Sequence, residues 1–187
     1  GTDESVTSTA TSNVVNVNDA PTGNVTISGT AEEDQTLTAS NTLADEDGLG
    51  TVSYQWHRDG TAITGATGET YTLTQADVGA AISVQASYTD QQGTDESVTS
   101  TATSNVVNVN DTPTGTVTIS GTAEEDETLT ASNTLDDEDG LGTVSYQWQR
   151  DGQTISGATG ETYTLTQADV GTAITVQASY TDQQGTD

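Results

Sequence analysis

Apolar and polar side chains alternate along most of this chain, the period-two signature of strands that bury one face. Val25 and Ile27 set one such strand, and Leu37 and Ala39 the next. Val52, Tyr54 and Trp56 alternate with Ser53, Gln55 and His57, predicting a third strand, and a short fourth holds Ile63. Tyr71 and Leu73 mark a fifth, and Ile82, Val84, Ala86 and Tyr88 a sixth. The last runs from Ser97 to about Val109, with a slip of phase at Val106-Val107 that predicts a bulge. No stretch carries a helical period. About seven short strands between turn residues, in roughly ninety residues, predict an all-β sandwich.

The pattern is written twice. Residues 1–95 recur as residues 93–187 with 85 of 95 positions identical and no insertion, which defines a tandem array of whole domains. His57/Gln149, Ala44/Asp136 and Gln35/Glu127 are among the pairs that differ. Asn18-Asp19-Ala20-Pro21-Thr22-Gly23 and its copy Asn110 to Gly115 read as short, stiffened joints. Residues 1–18 are then the last-strand equivalent of a preceding repeat, 19–110 a complete unit, and 111–187 a unit lacking its last strand. Nearly identical neighbours serve reach, stiffness and spacing better than catalysis.

Charge sharpens this reading. The chain has 29 acidic residues against two basic ones, Arg58 and Arg150, for a formal charge of −27. Attraction to nucleic acid phosphate has the wrong sign, and an anionic membrane surface is repelled. High solubility and cation binding are favoured instead. With no cysteine, disulfides and thiolate metal sites are excluded. A hydrophobic content of 30% lies near the disordered class, but strict alternation and abundant Thr overrule composition.

Particular strings carry a family resemblance. Tyr54-Gln55-Trp56, Asp59-Gly60, Gly65-Ala66-Thr67 and the run from Tyr71 through Gln75-Ala76-Asp77-Val78-Gly79, with the joint Val17-Asn18-Asp19-Ala20-Pro21, resemble the bacterial immunoglobulin-like repeats of giant RTX adhesins. The resemblance spans the whole chain. It implies tandem immunoglobulin-like β-sandwich domains of about seven strands each, joined end to end. In that family such repeats are extracellular extenders at the bacterial cell surface, and calcium stiffens their junctions. The disulfide cysteines and corner tyrosine of vertebrate immunoglobulin domains are absent, so antigen-type loop recognition does not transfer.

On that topology the acids concentrate at the joint between units. The first unit supplies Glu32, Glu33 and Asp34 from the loop between its first two strands. The linker supplies Asn110 and Asp111. The second unit supplies Asp136, Asp137, Glu138, Asp139 and Asp182 from two loops at its opposite pole, and Asp19, Asp45, Asp47 and Asp90 are the first unit's matching ligands. At about 4 Å and an effective dielectric near 20, each like-charged pair costs roughly 4 kcal/mol. Crowded hard oxygens of this kind favour Ca²⁺, the expected cofactor. The alternative is a solvated acidic surface. Zinc is disfavoured by one His and no Cys. An EF-hand at Asp45-Glu46-Asp47-Gly48 fails, because twelve-residue loops begun at Asp45 or Asp47 end at Trp56 or Arg58.

The remaining candidates read as structural. Asp77 is expected to accept backbone hydrogen bonds at a corner. Trp56 and Trp148 are expected as core pins, and His57, replaced by Gln149 in the copy, as a surface residue. No catalytic Ser/His/Asp arrangement or phosphate-cradling loop occurs, so the chain is not expected to be an enzyme. A glycan- or protein-binding module acting through its loops is the alternative to an extender. Expected partners are adjacent repeats, without nucleic acid or direct membrane contact. Residues 1–17 match the last strand of the complete unit, and Val17-Asn18-Asp19 cannot span the roughly 35–40 Å needed to serve the first unit. Head-to-tail strand complementation between molecules is therefore expected; a slice of a longer continuous chain is the plainer reading.

Overall fold

A computed structural model describes residues 1–184; the last three residues of the expected 111–187 unit lie outside the described residues. Its contacts divide the chain into two compact units, Gly1–Val106 and Val107–Asp187. Both are built from antiparallel sheets.

In the first unit the strands are β1 (Val25–Ser28), β2 (Thr36–Asn41), β3 (Ser53–Arg58), β4 (Thr61–Ala62), β5 (Thr70–Thr72), β6 (Ile82–Thr89) and β7 (Asp95–Thr99). They form two sheets, ordered β1-β2-β5 and β4-β3-β6-β7. Alternation decides the faces: Trp56 lies opposite Val84 and Tyr54 opposite Ala86, so these side chains share one surface of their sheet. That surface meets Val25, Leu37 and Ala39 from the other sheet in a single core, which also takes in Leu43, Leu73, Ile82, Tyr88 and Val106. Trp56 is fully buried, and its indole Nε1 donates to the Gly68 carbonyl at 2.9 Å. Its ring tilts against Tyr71 at 5.8 Å between centroids. Trp148 repeats these contacts in the second unit, so both tryptophans are core pins.

The last strand departs from expectation. Regular pairing stops at Thr99, well before Val106-Val107. Beyond it, Ser100 and Thr103 each bond twice to β6. Their N–H groups donate to the Val84 and Ile82 carbonyls, and their hydroxyls accept from the Val84 and Ile82 N–H groups. Hydroxyls thus replace backbone carbonyls, and the extra residues bulge out of the ladder. The chain then crosses over, and Val106 pairs in parallel with Val78 while its side chain enters the core. Two single 3-10 turns, Gln75–Asp77 and Gln167–Asp169, add to the strands a local helical geometry that the sequence period does not show.

The second unit contains β8 (Val117–Ser120), β9 (Thr128–Asn133), β10 (Ser145–Arg150), β11 (Gln153–Thr154), β12 (Thr162–Thr164) and β13 (Ile174–Ser179). Its sheets are ordered β8-β9-β12 and β11-β10-β13, with the same registers as their counterparts. Among the described residues, β13 has no strand on its outer edge. The buried core is accordingly smaller: Leu129, Ala131, Trp148 and Leu165, with Ile174 and Val176 only half-buried.

Candidate functional site

Two groups of acids lie at opposite ends of each unit, because the strand that separates them, β2 or β9, is six residues long and so spans roughly 20 Å. Glu32, Glu33 and Asp34 occupy the turn between β1 and β2. Asp34 takes a left-handed φ of 62° and donates its N–H to the Leu73 carbonyl, so it shapes the turn as well as carrying charge. Glu33 is buried and Asp34 exposed.

The other pole is more organised. In the first unit, the segment between β2 and β3 brings Asp45 and Asp47 together: the Asp47 N–H donates to Asp45 Oδ1 at 2.8 Å. Tyr88 on β6 donates to the other oxygen of Asp45 at 2.5 Å. Asp19, an exposed joint residue, donates its N–H to Asp47 Oδ2 at 2.8 Å. Gly50 lets this segment lie against the end of β6, since a Cβ there would sit 2.0 Å from the Thr89 carbonyl oxygen. The Gln91 N–H donates to the Gly48 carbonyl, which brings the loop after β6 alongside. In that loop, buried Asp90 uses Oδ1 to accept from Gln92 and Thr94, both at 2.8 Å. The Thr94 backbone bond leads the interactions that hold the Asp90 carboxyl below its ordinary range. Its second oxygen, Oδ2, is buried with no hydrogen-bond partner.

The second unit rebuilds this pole. The Asp139 N–H donates to Asp137 Oδ1 at 2.9 Å, and Tyr180 donates to Asp137 Oδ2. The Asp111 N–H donates to Asp139 Oδ2 at 2.8 Å, and the Gln183 N–H reaches the Asp139 carbonyl. Asp182 accepts from the Gln184 N–H at 2.8 Å. Asn110 is exposed and donates through its side chain to the Asp111 carbonyl. Asp139 is only 2% exposed, and its Oδ1 has no partner. A buried carboxylate oxygen without a donor is costly unless a cation neutralises it. The donor set here is hard oxygen throughout, the chemistry of a hard cation rather than of zinc.

The structure therefore joins Asp19 to Asp47 and Asp45, and Asp111 to Asp139 and Asp137, with Asp90 and Asp182 on the adjoining loops. Within a unit, the Glu32–Asp34 turn stands apart from that pole.

A third acidic site was only half visible in the sequence. Asp77 accepts the Thr74 N–H at 2.9 Å, as a corner residue should, but Arg58 also reaches it through Nε and Nη2, and Tyr71 donates to it at 2.9 Å. Burial pushes the Asp77 carboxyl up, yet the bonds from Thr74, Arg58 and Tyr71 outweigh burial and leave it below its ordinary value. The available signal was the recurrence of Arg58 and Asp77 as Arg150 and Asp169, at the same separation and with no other basic side chain in the chain. His57 is half-buried rather than on the open surface, and its Nδ1 is buried without a partner.

The fold and these poles define an all-β protein of antiparallel sheets with paired acidic loops. No family model and no curated protein matches the chain. Among solved structures, it is similar to the three N-terminal domains of the bacteriophage RB49 highly immunogenic outer capsid protein, at 18% identity and a TM-score of 0.34. That match covers 88% of this chain and 56% of the phage chain, so the chain spans little more than half the length of that three-domain segment.

Proposed function

We propose that this chain is a structural extender segment of a bacterial cell-surface adhesin. In this reading tandem immunoglobulin-like sandwiches form a rod, stiffened by Ca²⁺, that projects a distal ligand-binding domain outside the cell. One observation carries the reading: the joint residue Asp111 donates its N–H to buried Asp139, whose other oxygen has no donor, and Asp19 donates its N–H to Asp47. A cation held by Asp137, Asp139 and Asp182 would lock the linker to the domain that follows it. Stiffness is then set where a linker would otherwise bend.

Loop-based recognition of a glycan has less support. Among the described residues no aromatic ring is exposed, so a stacking platform is missing.

Thermal unfolding and small-angle scattering of the full chain, in calcium and in chelator, test the proposal. Calcium should raise the melting temperature through binding to the folded state and lengthen the particle. Identical melting and identical scattering profiles in the two conditions would rule it out.

A further inference from the structure

The acidic pole is built twice on one scaffold, with a single charged position exchanged. Ala44 begins the segment between β2 and β3, and Asp136 begins its counterpart. The backbone there is the same in both units. Ala44 pairs with Thr22 in an isolated antiparallel bridge, and Asp136 pairs with Thr114. In each case the Thr N–H donates to the partner's carbonyl at 2.8 Å, and the Thr hydroxyl reaches that carbonyl at 3.2 Å. The acids that follow are also held alike. Asp45 and Asp137 accept the N–H two residues on, and Tyr88 and Tyr180 donate to their second oxygens. The exchange therefore adds a carboxylate and leaves the frame around it unchanged.

Asp136 is exposed, and its Oδ1 accepts the Asp137 N–H at 3.1 Å. That bond turns the carboxylate along the chain toward the centre of the pole. Its charge is felt there. The Tyr180 phenol is pushed up first by its bond to Asp137 and by burial, and then by the charges of Asp137, Asp182 and Asp136.

Crowded acids do not by themselves make a cation site. Each pole also holds a buried carboxylate oxygen without a donor: Oδ1 of Asp139, which is 2% exposed, and Oδ2 of Asp90, which is 5% exposed. A cation placed against such an oxygen is stabilised by every carboxylate within a Debye length, ligand or not.

Given the cation reading proposed above, we infer that position 44/136 sets the affinity of the pole for its divalent ion. Asp136 strengthens the second unit's site through its charge and does not ligate, while Ala44 leaves the first unit's site without that increment. One carboxylate acting across exposed solvent is worth roughly three- to tenfold in affinity. Units that differ here load over different ranges of cation concentration. A series of them stiffens gradually rather than at one threshold.

Calorimetric titration of calcium chloride into the full chain tests both positions. Asp136→Asn should weaken one class of sites by about three- to tenfold, and Ala44→Asp should tighten the other by a similar factor. Asp136→Glu, which keeps the charge, should bind as the wild type does. Both positions are exposed, so circular dichroism should be unchanged in all three variants. In 1 M potassium chloride the gap between wild type and Asp136→Asn should close, because the Debye length falls to about 3 Å. A gap that persists there makes Asp136 a direct ligand and overturns the inference. So do affinities that neither Asp136→Asn nor Ala44→Asp changes, a result that leaves the calcium reading itself standing. A wild-type chain that binds no calcium overturns both.

Discussion

Arg58 and Asp77 meet through two nitrogens on one carboxylate oxygen, with Nε at 2.8 Å and Nη2 at 2.7 Å from Oδ1. Arg150 and Asp169 repeat the contact in the second unit. The carboxylate is buried in both, and the guanidinium shares with the neighbouring Thr and Tyr donors the replacement of its lost water.

Replacing Arg58 by Ala should leave a buried, under-compensated anion and lower the stability of the first unit by about 2–3 kcal/mol. Urea unfolding followed through Trp56, in a Trp148→Phe background, measures the loss. A change smaller than that of an exposed control such as Thr26→Ala would remove the pair from the account of stability.

Acid should attack the same site. The folded pKa of Asp169 is held down at about 2, because hydrogen bonds from Thr166, Arg150 and Tyr163 outweigh burial, while an unfolded Asp titrates near 4. The unfolded chain therefore takes up the proton first as pH falls. The contribution is complete above roughly pH 4 and disappears as pH drops toward 2. Urea midpoints should fall across that window, and Asp169→Asn should flatten the fall.

Tyr180 behaves in the opposite sense at high pH. Its hydrogen bond to Asp137, then its burial, push the phenol up to about 12. An unfolded Tyr ionises near 10, so the unfolded chain loses its proton first as pH rises. Stability of the second unit should decline between about pH 10 and 12. The tyrosine absorbance titration should show a late-ionising group that Tyr180→Phe removes.

Asp139→Asn separates a cation site from a merely acidic pole. Without calcium, the substitution removes one negative charge from a crowded loop and should leave the melting temperature equal or higher. In calcium it should weaken the stabilisation, with an affinity loss of at least about tenfold from the missing charge. Calorimetric titration of the wild type and the variant reads both effects. Equal calcium responses would free Asp139 from any role in binding.

Much of the strand pattern was legible because period two is a local property. Val25, Leu37, Trp56, Ile82 and Val84 each fell on the expected inward face and lie in the core. The end of the last strand was not, because hydroxyls of Ser100 and Thr103 substitute for carbonyls there. Alternation scores such residues only as polar. Asp77 shows a similar limit: its corner bonds come from residues three positions away, whereas its Arg58 partner depends on how two strands pack. The acids of the site were visible as charge. The buried, donorless oxygens of Asp90 and Asp139 were not, since burial of an atom is set by loops meeting in space.

Because both guanidinium groups are committed to Asp77 and Asp169, the outward electrostatics of the molecule are almost wholly of one sign. The sequence has no other Lys or Arg. Such an object acts on its neighbours as a colloid with a negative coat, whose range of repulsion is set by dissolved ions: about 30 Å at 0.01 M salt and 8–10 Å in physiological or 0.1 M solution. Dense arrays of these chains should stand apart in dilute media and crowd together in brine, without any change in the fold.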